Sequence, residues 1–350
     1  MEVFEAGHEQ IVIRQEPSTG LRAIIAVHST AMGPALGGCR HWVYPDAASA
    51  LEDAMRLSQG MTFKNVLADI PFGGGKAVIL GHRGRRLSTR DLETFGGWVE
   101  ELNGRYVTAE DVGMHVADMR AIAGATRYVS GLGTAGVGGD PSPRTAEGVL
   151  AGLQAAVRFR LGAGSLADVT VAVQGLGNVG FHLATLLKEQ GARLWVADID
   201  GERVRRAVKA LGATALSVDE VLAAEVDVVA PCALGGVLRR ETLADLKATV
   251  VAGAANNQLA TEDVGDLLAG RGVLYAPDYV INAGGVISIA QEYLGIDDAS
   301  WARTRIAAIA ERLQTIFERA RDTGTATSRI ADQMARERLP ATTGKALRVA

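Results

Sequence analysis

The sequence predicts a two-domain α/β protein, and three observations carry the prediction. The chain has 350 residues, about twice the commonest domain size. Hydrophobic residues make up 48% and charged residues 22%, which is ample apolar surface for packed cores and excludes intrinsic disorder. In the rear half, β-branched runs recur about every 20 to 25 residues with helical segments between them. That is the rhythm of βαβ units, whose right-handed crossovers lay strands side by side in a mostly parallel sheet.

The front half begins with short strands at Ile11–Gln15 and Leu21–His28, then a Gly/Pro-rich turn, Gly33-Pro34-Ala35-Leu36-Gly37-Gly38. Asp46 caps a helix that runs to about Met61, since Ala50, Leu51, Ala54, Met55 and Leu57 fall near helical spacing. Phe63–Ile70 connects it to Gly73-Gly74-Gly75-Lys76, and Ala77–Leu80 is a short buried strand. A helix from Ser88 to about Asn103 leads into a strand at Arg105–Thr108 and a loop at Ala109–Gly113. The stretch Gly131–Gly139, ending at Asp140-Pro141, marks a domain change. Rear strands are expected at Val169–Val173, Arg193–Ala197, Val226–Ala230, Thr249–Ala252 and Val273–Ala276, followed by helices at Gly284–Tyr293, Trp301–Thr323 and Thr327–Arg338.

Several function classes are excluded at once. The net charge is −4, with both signs spread along the chain, which argues against a nucleic-acid groove or a basic membrane face. Only Cys39 and Cys232 are present, too few for a disulfide framework, and Met1-Glu2-Val3-Phe4-Glu5 does not begin a cleavable signal. A cytoplasmic protein with no membrane span is expected. The longest uncharged stretch, Val169–Leu187, carries Gln174, Asn178, His182 and several glycines, which suit a phosphate loop better than a bilayer. Glycine is the outlier at 42 residues against 9 prolines, as for backbone packed close to ligands rather than a flexible linker.

One such cluster follows the strand ending at Gln174: Gly175, Leu176, Gly177, Asn178, Val179 and Gly180, running into the helical Phe181–Gln190. A glycine-rich turn alone would read the same way. The context is more specific, because a second strand ends at Asp198, where a carboxylate accepts hydrogen bonds from a ribose 2′-hydroxyl. A pyrophosphate then sits on the helix N-terminus. This is a Rossmann-type dinucleotide site, and Asp198 selects NAD by repelling a 2′-phosphate, although Arg203 nearby draws the other way.

The front half supplies the reactive side chains. Lys76 follows three glycines and lies twelve positions after Lys64. It is either a solvated residue closing a turn or, partly buried near Lys64, an amine with a lowered pKa that exchanges protons near neutrality. A Walker loop is excluded, since position 70 is Ile and position 77 is Ala. Asp111 follows a strand and precedes Gly113, as an ordinary turn aspartate or as an acid/base. No metal site is expected, because Cys39 and His41 are the only close potential ligands. All six histidines lie at or before position 182, which weakens a hydroxyacid dehydrogenase reading with its histidine in the later loops.

Across most of its length the chain resembles the leucine, valine and phenylalanine dehydrogenase family, relatives of glutamate dehydrogenase. The likeness is carried by residues 33–38, Gly60-Met-Thr-Phe-Lys64-Asn65, Gly73-Gly-Gly-Lys76, Thr108-Ala-Glu-Asp111-Val-Gly113, and the stretches 230–236, 252–257 and 279–285. The resemblance implies two domains separated by a cleft: 1–138 for substrate and oligomerisation, 139–324 for NAD, and 325–350 as a C-terminal helix returning toward the first. It implies reversible oxidative deamination of an L-amino acid to a 2-oxo acid and ammonia by a homo-oligomer. Lys64 then pairs with the substrate carboxylate, Lys76 polarises the carbonyl or activates water, and Asp111 shuttles the proton. Asn256 and Asn257 orient nicotinamide ribose and substrate, Thr145 and Asn282 hold the nicotinamide, and Cys232, Ala233 and Ala255 line the cofactor.

The family's side-chain pocket falls on Leu36, Gly37, Ala109, Val286 and Ile289, with Gly38 beside it. All are apolar or bare, so a buried glutamate charge would lack a partner. Leucine, valine and isoleucine are favoured; phenylalanine and tryptophan remain open, as does a catalytically silent NAD sensor or scaffold. Cys39 stands where the family usually has Thr, and Phe63 where it usually has Tyr.

Overall fold

The structure, a computed structural model, describes residues 7–82, 84–133 and 140–340. Its contacts divide the chain into two units: one holds the chain up to Asp140, Ile289–Asp297 and the chain from Ala335, and the other holds Pro141–Ser288 and Asp298–Met334. The expected boundary at 138/139, and the last ten residues of the C-terminal segment, fall outside the described residues.

The first unit is a five-stranded sheet. Its elements are β1 (Gln10–Glu16), β2 (Leu21–Ser29), β3 (Ala35–Trp42), α1 (Ala47–Leu67), β4 (Gly73–Leu80), α2 (Thr89–Glu100), β5 (Tyr106–Glu110) and α3 (Val116–Ala123). Strand order is β1-β2-β4-β3-β5, antiparallel from β1 to β4 and parallel from β4 to β5. Alternation along β2 sends Ala23, Ile25 and Val27 into one core with Phe95, Val99, Met119 and Ile122, while Ile24 and Ala26 meet Ala50, Ala54 and Val78 on the face covered by α1. Asp46 caps α1 by accepting from the Ser49 amide, and Ser88 with Asp91 forms a capping box on α2.

Four local expectations are corrected here. Residues 35–38 are not a turn but the start of β3, and Gly73–Gly75 begin β4 rather than preceding it. These glycines serve close packing: a Cβ on Gly37 would lie 1.8 Å from the Gly75 carbonyl oxygen, and one on Gly74 would lie 2.0 Å from the Thr62 amide nitrogen. α1 does not stop near Met61; it continues to Leu67, because Thr62, Phe63, Asn65 and Val66 are buried against the sheet, and Lys64 is therefore a helical residue. β5 likewise runs on through Ala109 and Glu110, which were expected in a loop.

The second unit is a six-stranded parallel sheet between helices. It contains α4 (Ser142–Leu161), β6 (Thr170–Gln174), α5 (Asn178–Glu189), β7 (Arg193–Ala197), α6 (Gly201–Leu211), β8 (Thr214–Ala215), β9 (Val228–Pro231), α7 (Arg240–Asp245), β10 (Val250–Val251), α8 (Asp263–Gly270), β11 (Leu274–Tyr275) and α9 (Asp278–Ile281). α10 (Gly284–Tyr293), α11 (Ala299–Thr323) and α12 (Thr327–Arg338) follow. Strand order β11-β10-β9-β6-β7-β8 reverses direction of growth between β6 and β9. That is the doubly wound arrangement, with its switch point where ligands bind beyond the carboxyl ends of the strands. The sequence reading did not anticipate α3, α4 or the two-residue β8.

Candidate active site

In the first unit, Lys76 and Asp111 come together. Lys76 shares a strand face with Gly74 and Val78, the face covered by α1, and its side chain is only 6% exposed. Its Nζ lies 2.8 Å from Asp111 Oδ2. Asp111 reaches it across a position with no side chain: Gly38 pairs with Ala109 in the β3–β5 register, and a Cβ on Gly38 would lie 2.7 Å from the Asp111 Cβ. On the opposite face, the Tyr106 ring fills the space left by Gly75, and its hydroxyl donates to the Gly37 carbonyl at 2.7 Å.

A second cation was missed by the sequence reading. Arg40 Nε donates to the same Asp111 oxygen at 3.0 Å, while its Nη1 donates to Asp53 Oδ2 at 2.9 Å. The available signal was an arginine directly after the apolar run Ala35–Cys39. Burial alone raises the Asp111 pKa, but the charges of Lys76 and Arg40 outweigh it and hold the carboxyl down to about 2. Lys76 is thus not a turn residue in solvent; its ammonium meets a carboxylate that it shares with a guanidinium.

Lys64 stands in the last turns of α1. Its neighbour Asn65 locks that turn to the sheet, donating to the carbonyls of Gly73 at 2.6 Å and Leu36 at 3.2 Å. Leu36 and Ala109 are buried, and Leu36 lies beside Gly74 and Val107 in the sheet register. Val286 and Ile289 are half-buried, one helical turn apart on α10. Cys39 is fully buried beside Ala77, and burial raises its thiol pKa far above the ordinary value.

In the second unit, the predicted cofactor residues gather at the carboxyl ends of the strands. Gly175 follows β6 with φ +95°, and a Cβ there would lie 2.8 Å from the Ala233 amide nitrogen beyond β9. A Cβ on Gly180 would lie 2.0 Å from the Gly175 carbonyl oxygen and 3.1 Å from the Cys232 Cβ, so this glycine lets helix and strand meet. Gly177 differs: its Cβ position has only the Arg203 guanidinium near it, at 3.9 Å. Two tightly packed glycines and an open middle one fit a pyrophosphate on the N-terminus of α5, where the cap residue Gly177 offers no side chain to compete. Leu176 and Asp198 are adjacent, the Leu176 amide donating to Asp198 Oδ2 at 2.6 Å. Arg203 is 3.8 Å from that oxygen.

The remaining groups form one cluster. Asn282 donates through Nδ2 to Asn256 Oδ1 at 2.8 Å and to the Ala254 carbonyl at 3.1 Å, leaving its buried Oδ1 without a hydrogen-bond partner. Thr145 Oγ1 lies 2.7 Å from where a Gly285 Cβ would stand. Asn257 takes φ +51°, a left-handed conformation that non-glycine residues adopt at a cost, and accepts from the Gly236 amide at 2.8 Å. Ala255 is buried beside them, and burial pushes the Cys232 thiol up to about 12, which suits packing and not nucleophilic attack. Among the described residues no group of three or more His, Cys, Asp or Glu could hold a metal ion, and no helix is long and apolar enough to cross a membrane.

A doubly wound sheet with a dinucleotide fingerprint, and a buried lysine–aspartate pair on a separate α/β unit, define a dehydrogenase. Residues 8–128 match the Glu/Leu/Phe/Val dehydrogenase dimerisation domain, and residues 198–339 match the Glutamate/Leucine/Phenylalanine/Valine dehydrogenase domain. The chain is 46% identical to the leucine dehydrogenase of Geobacillus stearothermophilus, covering 97% of this chain and 92% of that protein. It is 43% identical to the valine dehydrogenase of Streptomyces albus, covering 96% and 93%. The crystal structure of L-tryptophan dehydrogenase from Nostoc punctiforme superposes with a TM-score of 0.83 at 42% identity, covering 96% of this chain and 97% of that one. This chain belongs to the Glu/Leu/Phe/Val dehydrogenase family: it is an amino-acid dehydrogenase.

Proposed function

We propose that the chain catalyses NAD-dependent, reversible oxidative deamination of leucine, valine or isoleucine to the 2-oxo acid and ammonia. The observation that carries this reading is the buried Lys76–Asp111 pair at 2.8 Å beside a stretch of bare glycine backbone. When bound, the dinucleotide supplies the hydride acceptor. Everything else falls to side chains of this protein. Lys64 holds the substrate carboxylate by charge. Lys76, as an ammonium, polarises the carbonyl oxygen, which a cation in a dry setting does far better than one in solvent. Asp111, held ionised at any working pH by Lys76 and Arg40, takes and returns the proton at the amino group. Because the amine must be neutral before hydride leaves Cα, deamination has an alkaline optimum.

Substrate and cofactor choice rest on fewer groups. Leu36, Gly37, Ala109, Val286 and Ile289 offer no cation to a glutamate side chain, whereas a branched aliphatic chain needs none. Asp198, at the end of β7 and in contact with the fingerprint loop, suits ribose hydroxyls and repels a 2′-phosphate. Self-association is part of the proposal: β1 is an edge strand, its Ile13 is 68% exposed, and such an edge calls for cover.

A spectrophotometric screen of all twenty amino acids with NAD and with NADP tests the reading. Leucine, valine and isoleucine should lead, with NAD favoured at least about tenfold, the worth of one unfavourable charge contact. Equal specificity constants for the two cofactors would overturn the choice of NAD. Tight NADH binding without any amino-acid-dependent turnover would point to a sensor instead.

A further inference from the structure

We propose that Arg40, clamped by Asp53 and Tyr44, is the positioning residue that decides which carboxylate oxygen of Asp111 faces the substrate amine. The proposal rests on the proton-transfer role given to Asp111 above.

The geometry is a chain of charge-assisted hydrogen bonds linking three elements. Arg40 leaves β3 on the face covered by α1 and bridges two carboxylates, Nε to Asp111 and Nη1 to Asp53. Asp53 lies on α1, and both its oxygens are engaged: Oδ2 also accepts from the Tyr44 hydroxyl at 2.6 Å, and Oδ1 accepts from Arg56 Nη2 at 3.0 Å. A guanidinium is a planar fork, so fixing one prong on Asp53 fixes the direction of the other. The side chains of Arg40, Asp53 and Asp111 are 17%, 15% and 17% exposed, so water does little to loosen the arrangement.

The consequence lies in how the bonds are shared. Lys76 and Arg40 both sit on Asp111 Oδ2, and Oδ1 makes no hydrogen bond among the described residues. One oxygen is therefore held by two cations and the other is left for the amine. The terminal torsion of an aspartate is broad and roughly two-fold. With Lys76 alone, whose compact ammonium has no fork to match, the carboxylate would be free to present either oxygen at either angle. Losing Arg40 should then slow proton transfer while substrate binding through Lys64 is kept, a defect in kcat and not in KM.

Steady-state deamination kinetics of Arg40→Ala, with and without millimolar guanidinium ion, test this alongside Asp53→Asn and Asp111→Asn. Arg40→Ala should lose about 10²-fold in kcat, the usual cost of ångström-scale misplacement, with the amino-acid KM and NADH affinity little changed. Guanidinium should restore kcat saturably in that variant and leave Asp111→Asn nearly inactive. Asp53→Asn should show the same split at smaller size, and it decides the matter if Arg40→Ala does not fold. A folded Arg40→Ala with undiminished kcat, a loss confined to KM, a loss that guanidinium does not touch, or an unaltered Asp53→Asn overturns the proposal while a nearly inactive Asp111→Asn leaves the proton role standing. Rapid turnover by Asp111→Asn would instead refute that role, and the proposal with it.

Discussion

Gly38→Ala perturbs the site by volume alone. The added Cβ would stand 2.7 Å from the Asp111 Cβ and 2.8 Å from the Glu110 carbonyl oxygen. Carbon atoms in contact settle at about 3.5–4.0 Å, so the methyl group falls short of room by about 1 Å. Neither neighbour is a flexible chain end: one is backbone, and the other is the root of a side chain held by Lys76 and Arg40. The displacement therefore goes into the Asp111 carboxylate. A shift of about 1 Å in a reacting group costs about 10²-fold in rate, or roughly 2.7 kcal/mol of transition-state stabilisation. The assay is NADH production at saturating amino acid, with NADH binding followed by fluorescence as the control for an intact second unit. Binding should be unchanged and kcat should fall. A folded Gly38→Ala enzyme within a few-fold of the original kcat would refute the reasoning that this glycine exists to let Asp111 reach Lys76.

The remaining predictions probe separate parts of the molecule. Lys76→Ala should remove deamination by about 10²–10⁴-fold in kcat while NADH still binds, and normal turnover in that variant would remove Lys76 from the mechanism. Gly180→Ala places a Cβ 2.0 Å from a carbonyl oxygen of the fingerprint turn; overpacking of about 1–3 kcal/mol should weaken NADH binding about tenfold or more in a fluorescence titration, and an unchanged Kd would count against the dinucleotide assignment. His28 donates or accepts through Nδ1 at Thr62 Oγ1, 2.8 Å away, and burial, with smaller repulsion from His8 and Arg336, pushes its pKa down to about 4. A histidine kept neutral in the fold contributes fully above its unfolded pKa of about 6.5 and loses that contribution as the pH falls toward 4, here of order 3 kcal/mol. In urea unfolding, the stability lost between about pH 7 and 4.5 should shrink in His28→Gln; an equal loss in both proteins would show that His28 is not the titrating group.

The second unit was legible in the sequence because its signals are local. Five β-branched runs, a glycine fingerprint straight after a strand and an acid at the end of the next strand each need only a few consecutive residues, and parallel βαβ units leave little choice of how such strands pair. The first unit was harder for the opposite reason. Its glycines read as turns because glycine usually breaks regular structure, yet Gly37, Gly38 and Gly73–Gly75 sit in the adjacent interior strands β3 and β4, where side chains would collide with backbone of β2, β4, β5 or α1 or, at Gly75, with the Tyr106 ring. Such collisions are invisible until distant segments are brought together.

Lys64, Lys76 and Asp111 could be singled out by residue type, by their neighbours and by family resemblance, but their chemistry could not be finished that way. The sequence by itself determined the two-unit α/β plan, the glycine fingerprint and the side chains proposed to react, since all of these are written in short stretches of the chain. Only the tertiary structure decided that Asp111 is shared between Lys76 and Arg40 and that Asp53, on a different element, holds Arg40 in place. Electrostatic coupling depends on distances of a few ångströms and on exclusion of water, and both arise only when β3, β4, β5 and α1 close around one carboxylate.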